Sequence, residues 1–302
     1  MQMSLFDTHC DTITKPMPLR RNAGHLDLER LAAYSPSAQV FAVWSLPAFE
    51  GPVAYSAIIR RLHAQLGKNQ DTVRLCTSAA DAEAAAKEGK TAAFISVEGA
   101  GMLGCSIDGL HRAYEDGVRI IHLTWNKDNA LAGAAMDGQG GLTPSGREFL
   151  LEAQRMGMAV DMSHISEKAF WDAVDITTKP LLAGHSNSKA LCPHRRNLTD
   201  EQFTALVKIR GCAGLNMCPE FLGDDPDVEM AVDHAEHFLA LGGEKCVCIG
   251  ADLDGISSLP RGLRGVQDLG KIYEAMLRRG WSEDLIRDIF YGNAFDFFGR
   301  TL

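Results

Sequence analysis

A histidine and an acid lie two residues apart near the start of the sequence, in the segment DTHCD. Side chains of an extended chain alternate between its two sides, so His9 and Asp11 can face one cation while Cys10 faces away. Imidazole nitrogens and carboxylate oxygens are ligands of divalent metals in catalytic sites. The pair predicts a metal site, although an isolated His-x-Asp spacing also arises by chance.

Three more donors each follow a short apolar run, namely Glu98 in SVEGA, His164 in VDMSHIS and His185 in LLAGHSN. Considered alone, Glu98 is best interpreted as a solvated loop carboxylate. Each histidine alone is as easily a hydrogen-bonded residue at the barrel rim as a metal ligand. Taken with the first pair, they make three imidazoles and two carboxylates, which is the composition of a metal site.

The donor types also indicate which metals to expect. Nitrogen and oxygen donors without thiolate suit catalytic Zn²⁺, and also Mn²⁺, Co²⁺ or Fe²⁺, because ligand type discriminates poorly among these ions. The set exceeds the three protein ligands of one catalytic zinc, but two ions can share it if one carboxylate bridges them. We therefore expect two divalent metal ions, with Zn²⁺ as the first choice.

Eight short apolar runs alternate with longer helical stretches, which is typical of parallel βα units. The runs cover residues 5–6, 40–46, 92–97, 118–123, 158–160, 180–183, 212–215 and 246–249. Predicted helices include 52–66, 79–87, 147–156 and 199–209, and Thr199 and Gln202 have the spacing of a capping box.

This order predicts a single (β/α)₈ TIM-type barrel, with residues 1–302 as one domain and no composition break to mark a second. An open, doubly wound α/β sheet is the alternative fold, but such a fold typically carries a glycine-rich phosphate-binding loop directly after an early strand. In a barrel the chemistry lies at the carboxyl ends of the strands. The five donors should therefore converge there with Trp125 and Asn126, after the fourth run, and Asp252, after the eighth.

Composition excludes several classes of partner. The 302 residues carry a formal net charge of -9 with scattered basic residues, which argues against a nucleic-acid interface. No apolar run of about 18 residues and no signal-like N-terminus occurs, so we expect no membrane association. The eight cysteines include no CxxC pair, and a reducing cytoplasm is the expected location. Small substrates fit best.

Several motifs, in their order and spacing, resemble those of the membrane (renal) dipeptidases, peptidase family M19, which are metallopeptidases of the amidohydrolase barrel type. The resemblance runs nearly end to end. The motifs are DTHCDT, SVEGA, RIIHLTWNKDN, VDMSHIS, GHSNSKAL, RRNLTDEQ, IGADLDG and LRRGWSEDLIRDIFYGNAFDFF.

The resemblance implies a metal-dependent dipeptidase that cleaves the amide bond of small dipeptides with a metal-bridging hydroxide. His9 and Asp11 would hold one ion. His164 and His185 would hold the other, and Glu98 would bridge the two. Family members often dimerise, so a homodimer is one candidate assembly, although no exposed apolar stripe in the sequence marks an interface.

The resemblance also implies roles for two residues outside the ligand set. Asp252, the first acid of ADLDG, would be the catalytic acid/base. Arg196, in RRN, would bind the carboxylate of the substrate. Their neighbours Asp254 and Arg195 are read as a rim hydrogen-bonding group and a solvated charge.

The fourth-strand segment departs from the family pattern. Many members read LTH there, and that histidine helps to hold the scissile carbonyl and its oxyanion, whereas Trp125 stands at this position here. An indole N–H donates one hydrogen bond but carries no positive charge. Asn126 is a candidate to share the task, and His122, three residues earlier, is a doubtful replacement.

The departure leaves the metal site intact and keeps two alternatives open. One is another binuclear amidohydrolase activity, such as hydrolysis of an N-acyl amino acid or a small cyclic amide. The other is a non-catalytic barrel that binds metal or ligand. Only Trp125 favours the second alternative, whereas the complete ligand set together with Asp252 weighs against it.

Overall fold

The computed structural model of the chain describes residues 3–302, which contain nine parallel strands, and residues 1 and 2 of the predicted domain lie outside this part. The strands are β1 (Leu5–Cys10), β2 (Ser37–Val43), β3 (Val73–Leu75), β4 (Thr91–Val97), β5 (Val118–His122), β6 (Ala159–Asp161), β7 (Leu182–Ala183), β8 (Cys212–Leu215) and β9 (Val247–Ile249).

Eight of these strands close into a barrel. β2 pairs with β1 on one side and, passing over β3, with β4 on the other, from Ala38–Ala92 to Val43–Val97. The remaining strands follow in chain order, and β9 pairs back onto β1. The predicted (β/α)₈ barrel is confirmed, and each of the eight predicted apolar runs contributes one barrel strand.

The ninth strand, β3, was not predicted. It pairs only with the first residues of β4, from Val73–Thr91 to Leu75–Ala93, and so lies outside the closed ring.

A glycine-rich stretch, GAGMLG at 99–104, has the spacing of a phosphate loop but follows the third barrel strand and forms a short 3₁₀ helix, Ala100–Leu103. The closed barrel rules out the doubly wound alternative.

Helices surround the barrel and largely follow the predicted positions. Within the described residues they are α1 (Leu28–Leu31), α2 (Pro52–Lys68), α3 (Ala79–Lys87), α4 (Ile107–Glu115), α5 (Pro144–Arg155), α6 (Glu167–Ile176), α7 (Asp200–Lys208), α8 (Pro219–Leu222), α9 (Val228–Ala240), α10 (Gly270–Arg278), α11 (Glu283–Arg287) and α12 (Asn293–Thr301). The predicted capping box is present, because Thr199 Oγ1 accepts from the backbone N–H of Gln202 at 3.2 Å and Gln202 Oε1 accepts from that of Thr199 at 2.9 Å.

Aromatic side chains fill one part of the barrel interior. Phe6 of β1 stacks on Phe94 of β4 with ring centroids 5.6 Å apart and on Phe298 of α12 at 5.1 Å. All three rings are at most 1% exposed. The C-terminal helix therefore completes the core inside the ring of strands.

The strands approach one another closely below those ends. Thr8 Oγ1 donates to the carbonyl of Gly184 at 2.6 Å, and a Cβ at Gly250 would lie 1.7 Å from that same oxygen. A Cβ at Gly214 would lie 2.1 Å from it. Glycine is needed where β8 and β9 end, because a larger residue would separate the strands.

Two expectations drawn from composition concern the whole chain. Within residues 3–302, no helix combines the length and apolar character needed to cross a membrane. The eight cysteines are free thiols, and seven of them are buried. Cys212 and Cys248 lie in the barrel core, where they pack as small apolar side chains.

Candidate metal centre

An irregularity in β1 delivers the first two donors to the barrel interior. Asp7 pairs with Gln39 and Cys10 pairs with Phe41, so three steps along β1 match two along β2. Such a bulge re-aims the side chains around it. His9 is fully buried with its Nε2 3.4 Å from Asp11 Oδ2, while Cys10 packs into the apolar core.

Glu98, at the end of β4, lies at the centre of the cluster. Its Oε1 is 2.8 Å from His164 Nε2 and 3.5 Å from His185 Nε2. The same oxygen is 3.7 Å from His9 Nε2. Glu98 is 3% exposed, so one carboxylate oxygen contacts imidazoles from three different strand ends away from solvent.

The predicted ligands form two donor groups within the described residues. Glu98, His164 and His185 make one, His9, Asp11 and Glu98 make the other, and the donor atoms of each lie within 4.8 Å of one another. Neither ring nitrogen of His9, nor Asp11 Oδ1, nor His185 Nδ1 has a hydrogen-bond partner within residues 3–302. Buried polar atoms normally have partners, so this donor set fits divalent cations.

A strained backbone position and one amide set the orientation of His164. The residue has a positive φ of 72°, which costs energy for a side chain with a Cβ and is found mainly where function requires it. His164 Nδ1 lies 2.8 Å from Asn126 Oδ1. Because an amide oxygen only accepts, the proton belongs on Nδ1, and Nε2 is left free for a metal.

Burial and mutual charge dominate the electrostatics of the cluster. Burial alone would lower the pKa of His9, but the carboxylates of Glu98 and Asp11 outweigh it and raise that pKa to about 10. Burial, together with Asp11 and against the opposing effect of His9, raises the pKa of Glu98 well above its usual range. The pKa of His164 is held well below its usual value, mainly by burial and to a lesser extent by the positive charge of Arg196.

Asp252 reaches the same centre from the loop after β9. Its Oδ1 lies 3.9 Å from His9 Nε2, and its Oδ2 accepts from the Asn216 side chain at 3.1 Å. The backbone of Asp252 has a φ of 59°. Burial and the nearby Asp11 carboxylate, opposed by His9, raise the pKa of Asp252 to about 6. A carboxyl group with this pKa can gain and lose a proton near neutral pH.

Arg196 brings a positive charge to the centre without an ion-pair partner. The residue is 5% exposed, and its Nε and Nη2 have no hydrogen-bond partner among the described residues. Its guanidinium carbon lies 5.5 Å from the ring centroid of Phe221, and its backbone N–H donates to His194 Nδ1. An unpaired buried guanidinium is costly, so this geometry suits an anionic group of a ligand.

Asp254 and Arg195, the neighbours of Asp252 and Arg196, make different contacts. Asp254 accepts from Thr12 Oγ1 at 2.7 Å and from the backbone N–H of His25 at 2.8 Å. Arg195 is exposed, and its Nη2 donates to the carbonyl of Asp137 at 3.5 Å. Asp254 therefore holds the rim together, and the Arg195 charge is solvated.

A cavity of about 610 Å³ opens beside the donor cluster. Glu98, His164, Asp252 and Arg196 line it, together with Trp125 and Asn126. This volume is in the range of small-molecule sites. All of the predicted catalytic and substrate-binding residues thus border one space.

Trp44 and Trp125 form an aromatic wall of this cavity, with ring centroids 5.0 Å apart and planes at 53°. Trp44 was not predicted, because it stands inside the apolar run that was read as the second strand. Asn216 was not predicted either, although it directly follows β8 and the search for polar residues after strands would have found it. His122 lies inside the barrel, where its Nε2 is 2.8 Å from Asp161 Oδ2, and does not line the cavity with Trp125.

Sequence comparison gives the family. The family model of the membrane dipeptidases, peptidase family M19, matches residues 1–301. A relative from Claviceps purpurea, the dipeptidase tcpJ, is 32% identical over 289 residues, which cover 90% of this chain and 68% of the relative.

Solved structures agree with the sequence match. The dipeptidase AC, a metallopeptidase of family M19, superposes with a TM-score of 0.91 at 27% identity, over 100% of this chain and 99% of the other. A metallopeptidase from Rhodobacter sphaeroides, liganded with a phosphinate mimic of the dipeptide L-Ala-D-Ala, has the same TM-score at 26% identity and full coverage of both chains. The chain therefore belongs to the membrane dipeptidase family, peptidase family M19, and is a metallopeptidase of that family.

Proposed function

We propose that the protein is a two-metal dipeptidase, with Zn²⁺ as the expected ion, and that it hydrolyses the amide bond of small dipeptides. The observation that carries the proposal is the position of Arg196. A buried guanidinium without a partner among the described residues borders the same cavity as the donor cluster and Asp252. A free substrate carboxylate would pair with Arg196 and leave the neighbouring amide close to the donors.

The ligand assignment follows from the two donor groups that share Glu98. His9 and Asp11 would hold one ion, His164 and His185 the other, and Glu98 both. When bound, the two ions would supply Lewis acidity toward the scissile carbonyl and an activated water for the attack.

Asp252 would move the proton. Its carboxylate lies beside His9 and is held at Oδ2 by Asn216, so Oδ1 remains toward the centre. A pKa of about 6 allows Asp252 to accept a proton during attack and to donate it to the leaving amine nitrogen.

Trp125 and Asn126 would contact the substrate from the other side of the cavity. The indole N–H is a hydrogen-bond donor toward the carbonyl oxygen, without the charge that a histidine would add. Since Asn126 Oδ1 is engaged by His164, the Asn126 NH₂ group remains as the donor to the substrate. Two neutral donors would then stabilise the developing negative charge.

The role of Arg196 is tested by removing its charge. We expect Arg196→Met to lower kcat/KM for a free dipeptide by about 100-fold, which corresponds to about 2.7 kcal/mol, and to have much less effect on the corresponding dipeptide amide. Arg195→Met is the matched control and should leave both substrates unaffected. Equal losses on both substrates would contradict the assignment.

A substrate panel separates dipeptide hydrolysis from the related amidohydrolase activity. The panel should contain L,L- and L,D-dipeptides, because the Rhodobacter sphaeroides relative was solved with an L-Ala-D-Ala mimic. It should also contain N-acyl amino acids and small cyclic amides. We expect the highest kcat/KM on a dipeptide, and a higher value on an N-acyl amino acid would favour the alternative.

A further inference from the structure

His122 is a buried histidine that the proposed mechanism does not use. It ends β5 inside the barrel, is fully buried, and lies 2.8 Å through Nε2 from Asp161 Oδ2, which is also buried. Backbone N–H groups of Ser163 and Gly184 donate to the same carboxylate. Neither ring nitrogen of His122 has a hydrogen-bond partner within residues 3–302. The negative charge of Asp161 beside Nε2 favours the proton on that nitrogen, which leaves a lone pair on Nδ1.

Two of the candidate ligands lie next to this imidazole. The ring centroid of His122 is 5.5 Å from that of His9 and 5.6 Å from that of His185. Donor atoms of these three histidines all lie within 4.8 Å of one another. Nδ1 of each of the three is buried and without a hydrogen-bond partner in the described part of the chain. Buried polar atoms normally have partners, so three such imidazoles close together point to a bound ligand.

We propose that His122 completes a third metal-binding group with His9 and His185, an inner position beneath the two groups that share Glu98. Asp161 stands behind His122 as a carboxylate stands behind many metal-bound histidines, fixing the ring and raising its basicity. The inner group consists of three imidazoles. Each outer group contains the Glu98 carboxylate and at most two imidazoles.

The composition of the inner group determines which ions it takes. Three nitrogen donors suit Cu²⁺, Ni²⁺ and Zn²⁺ better than Mn²⁺ or Mg²⁺, which prefer oxygen. His9 and His185 also belong to the outer groups, so an inner ion competes with full occupancy of the outer pair. The inference concerns metal binding alone and holds whether or not the protein hydrolyses dipeptides.

Electron paramagnetic resonance of bound Cu²⁺ counts the imidazole nitrogens directly. One equivalent of Cu²⁺ is added to the metal-free full chain, and the nitrogen hyperfine pattern is recorded. In the wild type we expect a hyperfine pattern from three imidazole nitrogens bound to Cu²⁺. His122→Asn should reduce the count to two or fewer, whereas His164→Asn, a matched change in an outer group, should keep all three.

Each outcome decides the proposal. Two or fewer nitrogens in the wild type would overturn it, as would a three-nitrogen signal that survives in His122→Asn. If His122→Asn does not fold, as judged by near-ultraviolet circular dichroism, His164→Asn still decides, because loss of the third nitrogen there would show that His164, and not His122, supplies the third imidazole.

Discussion

Asn126 illustrates how a single side chain serves the centre indirectly. Its carbonyl oxygen lies 2.8 Å from His164 Nδ1, which fixes the imidazole with Nε2 2.8 Å from Glu98 Oε1. Without the amide, the His164 ring could rotate or change tautomer, and a metal would lose a preoriented ligand. The residue thus has a positioning role besides its proposed contact with substrate.

We expect Asn126→Ala to weaken metal binding by about 10- to 100-fold, the usual effect of removing a group that orients a metal-bound histidine. The measurement is competition for metal against a chromophoric chelator. Trp125→Phe is the control, since it alters the cavity wall next door and leaves the His164 contact in place. Equal metal affinity in wild type and Asn126→Ala would refute the positioning role.

At this scale the sequence predicts the types and places of the site residues but not their partners. His9, Glu98 and His185 could be found because each follows an apolar run, and barrel topology brings strand ends together. Trp44 and the His122–Asp161 contact could not, because they depend on which face of a strand a side chain occupies. That choice depends on register and on the bulge in β1, which the residue pattern does not show.

Backbone geometry at the strand ends positions these side chains. Both His164 and Asp252 have positive φ values, 72° and 59°, in the turns that follow β6 and β9. The cost of these conformations is of the order of 1 kcal/mol each and must be offset by packing around them. Gly250, two residues before Asp252, contributes to that packing by allowing close approach to β7.

Gly250→Ala should lower the free energy of unfolding by about 1–3 kcal/mol, because its Cβ would meet the Gly184 carbonyl at 1.7 Å in a tightly packed interior. Chemical denaturation measures this change. Gly67→Ala is the matched control, since Gly67 lies within α2 with nothing within 4 Å of an added Cβ, and it should stabilise by about 0.5–1 kcal/mol. Tolerance of alanine at position 250 would contradict the close-approach argument.

A carboxylate just before α10 gives a pH-dependent contribution to stability. Asp268 accepts from Arg264 Nε at 2.8 Å, and Lys271 Nζ lies 3.0 Å from its other carboxylate oxygen. These two cations lower the pKa of Asp268 from 3.8 to about 2, against the effect of burial. Because the folded pKa is below the unfolded value, the stabilisation is present above about pH 4 and is lost as the pH falls toward 2.

Asp268→Asn should therefore destabilise the protein at pH 7 and have a smaller effect at pH 3. The loss at pH 7 should be of the order of 1 kcal/mol, because the exposed cations are screened by solvent. Urea unfolding at both pH values is the test. Asp71→Asn, which breaks a contact between exposed side chains with Arg20, should change little at either pH. A pH-independent loss in Asp268→Asn would exclude the ionic origin.

Most helices and strands could be predicted from the spacing of apolar residues along the sequence. The capping box formed by Thr199 and Gln202 matches the prediction at both residues. β3 could not, because three residues with the sequence VRL give no pattern and owe their pairing to the neighbouring β4. Helix ends were less accurate, since α5 begins at Pro144, before the predicted residue 147.

The whole molecule combines a closed barrel, an aromatic interior and a polar rim. The barrel order follows from eight alternating βα units, so the fold could be predicted without structural information. The role of the C-terminal helix could not, because Phe298 meets Phe6 and Phe94 only after the chain has closed the ring. This closure also brings His9 and Asp252, from opposite ends of the sequence, within 3.9 Å.

The central claim is that metal held by this rim is required to cleave a dipeptide. The most direct test is the rate of dipeptide hydrolysis by the purified full chain before metal removal, after chelation to a verified metal-free state, and after return of Zn²⁺, Mn²⁺ or Co²⁺. We expect the activity to disappear with the metal and to return as two ions per chain are bound. Undiminished hydrolysis by the metal-free protein would contradict the account.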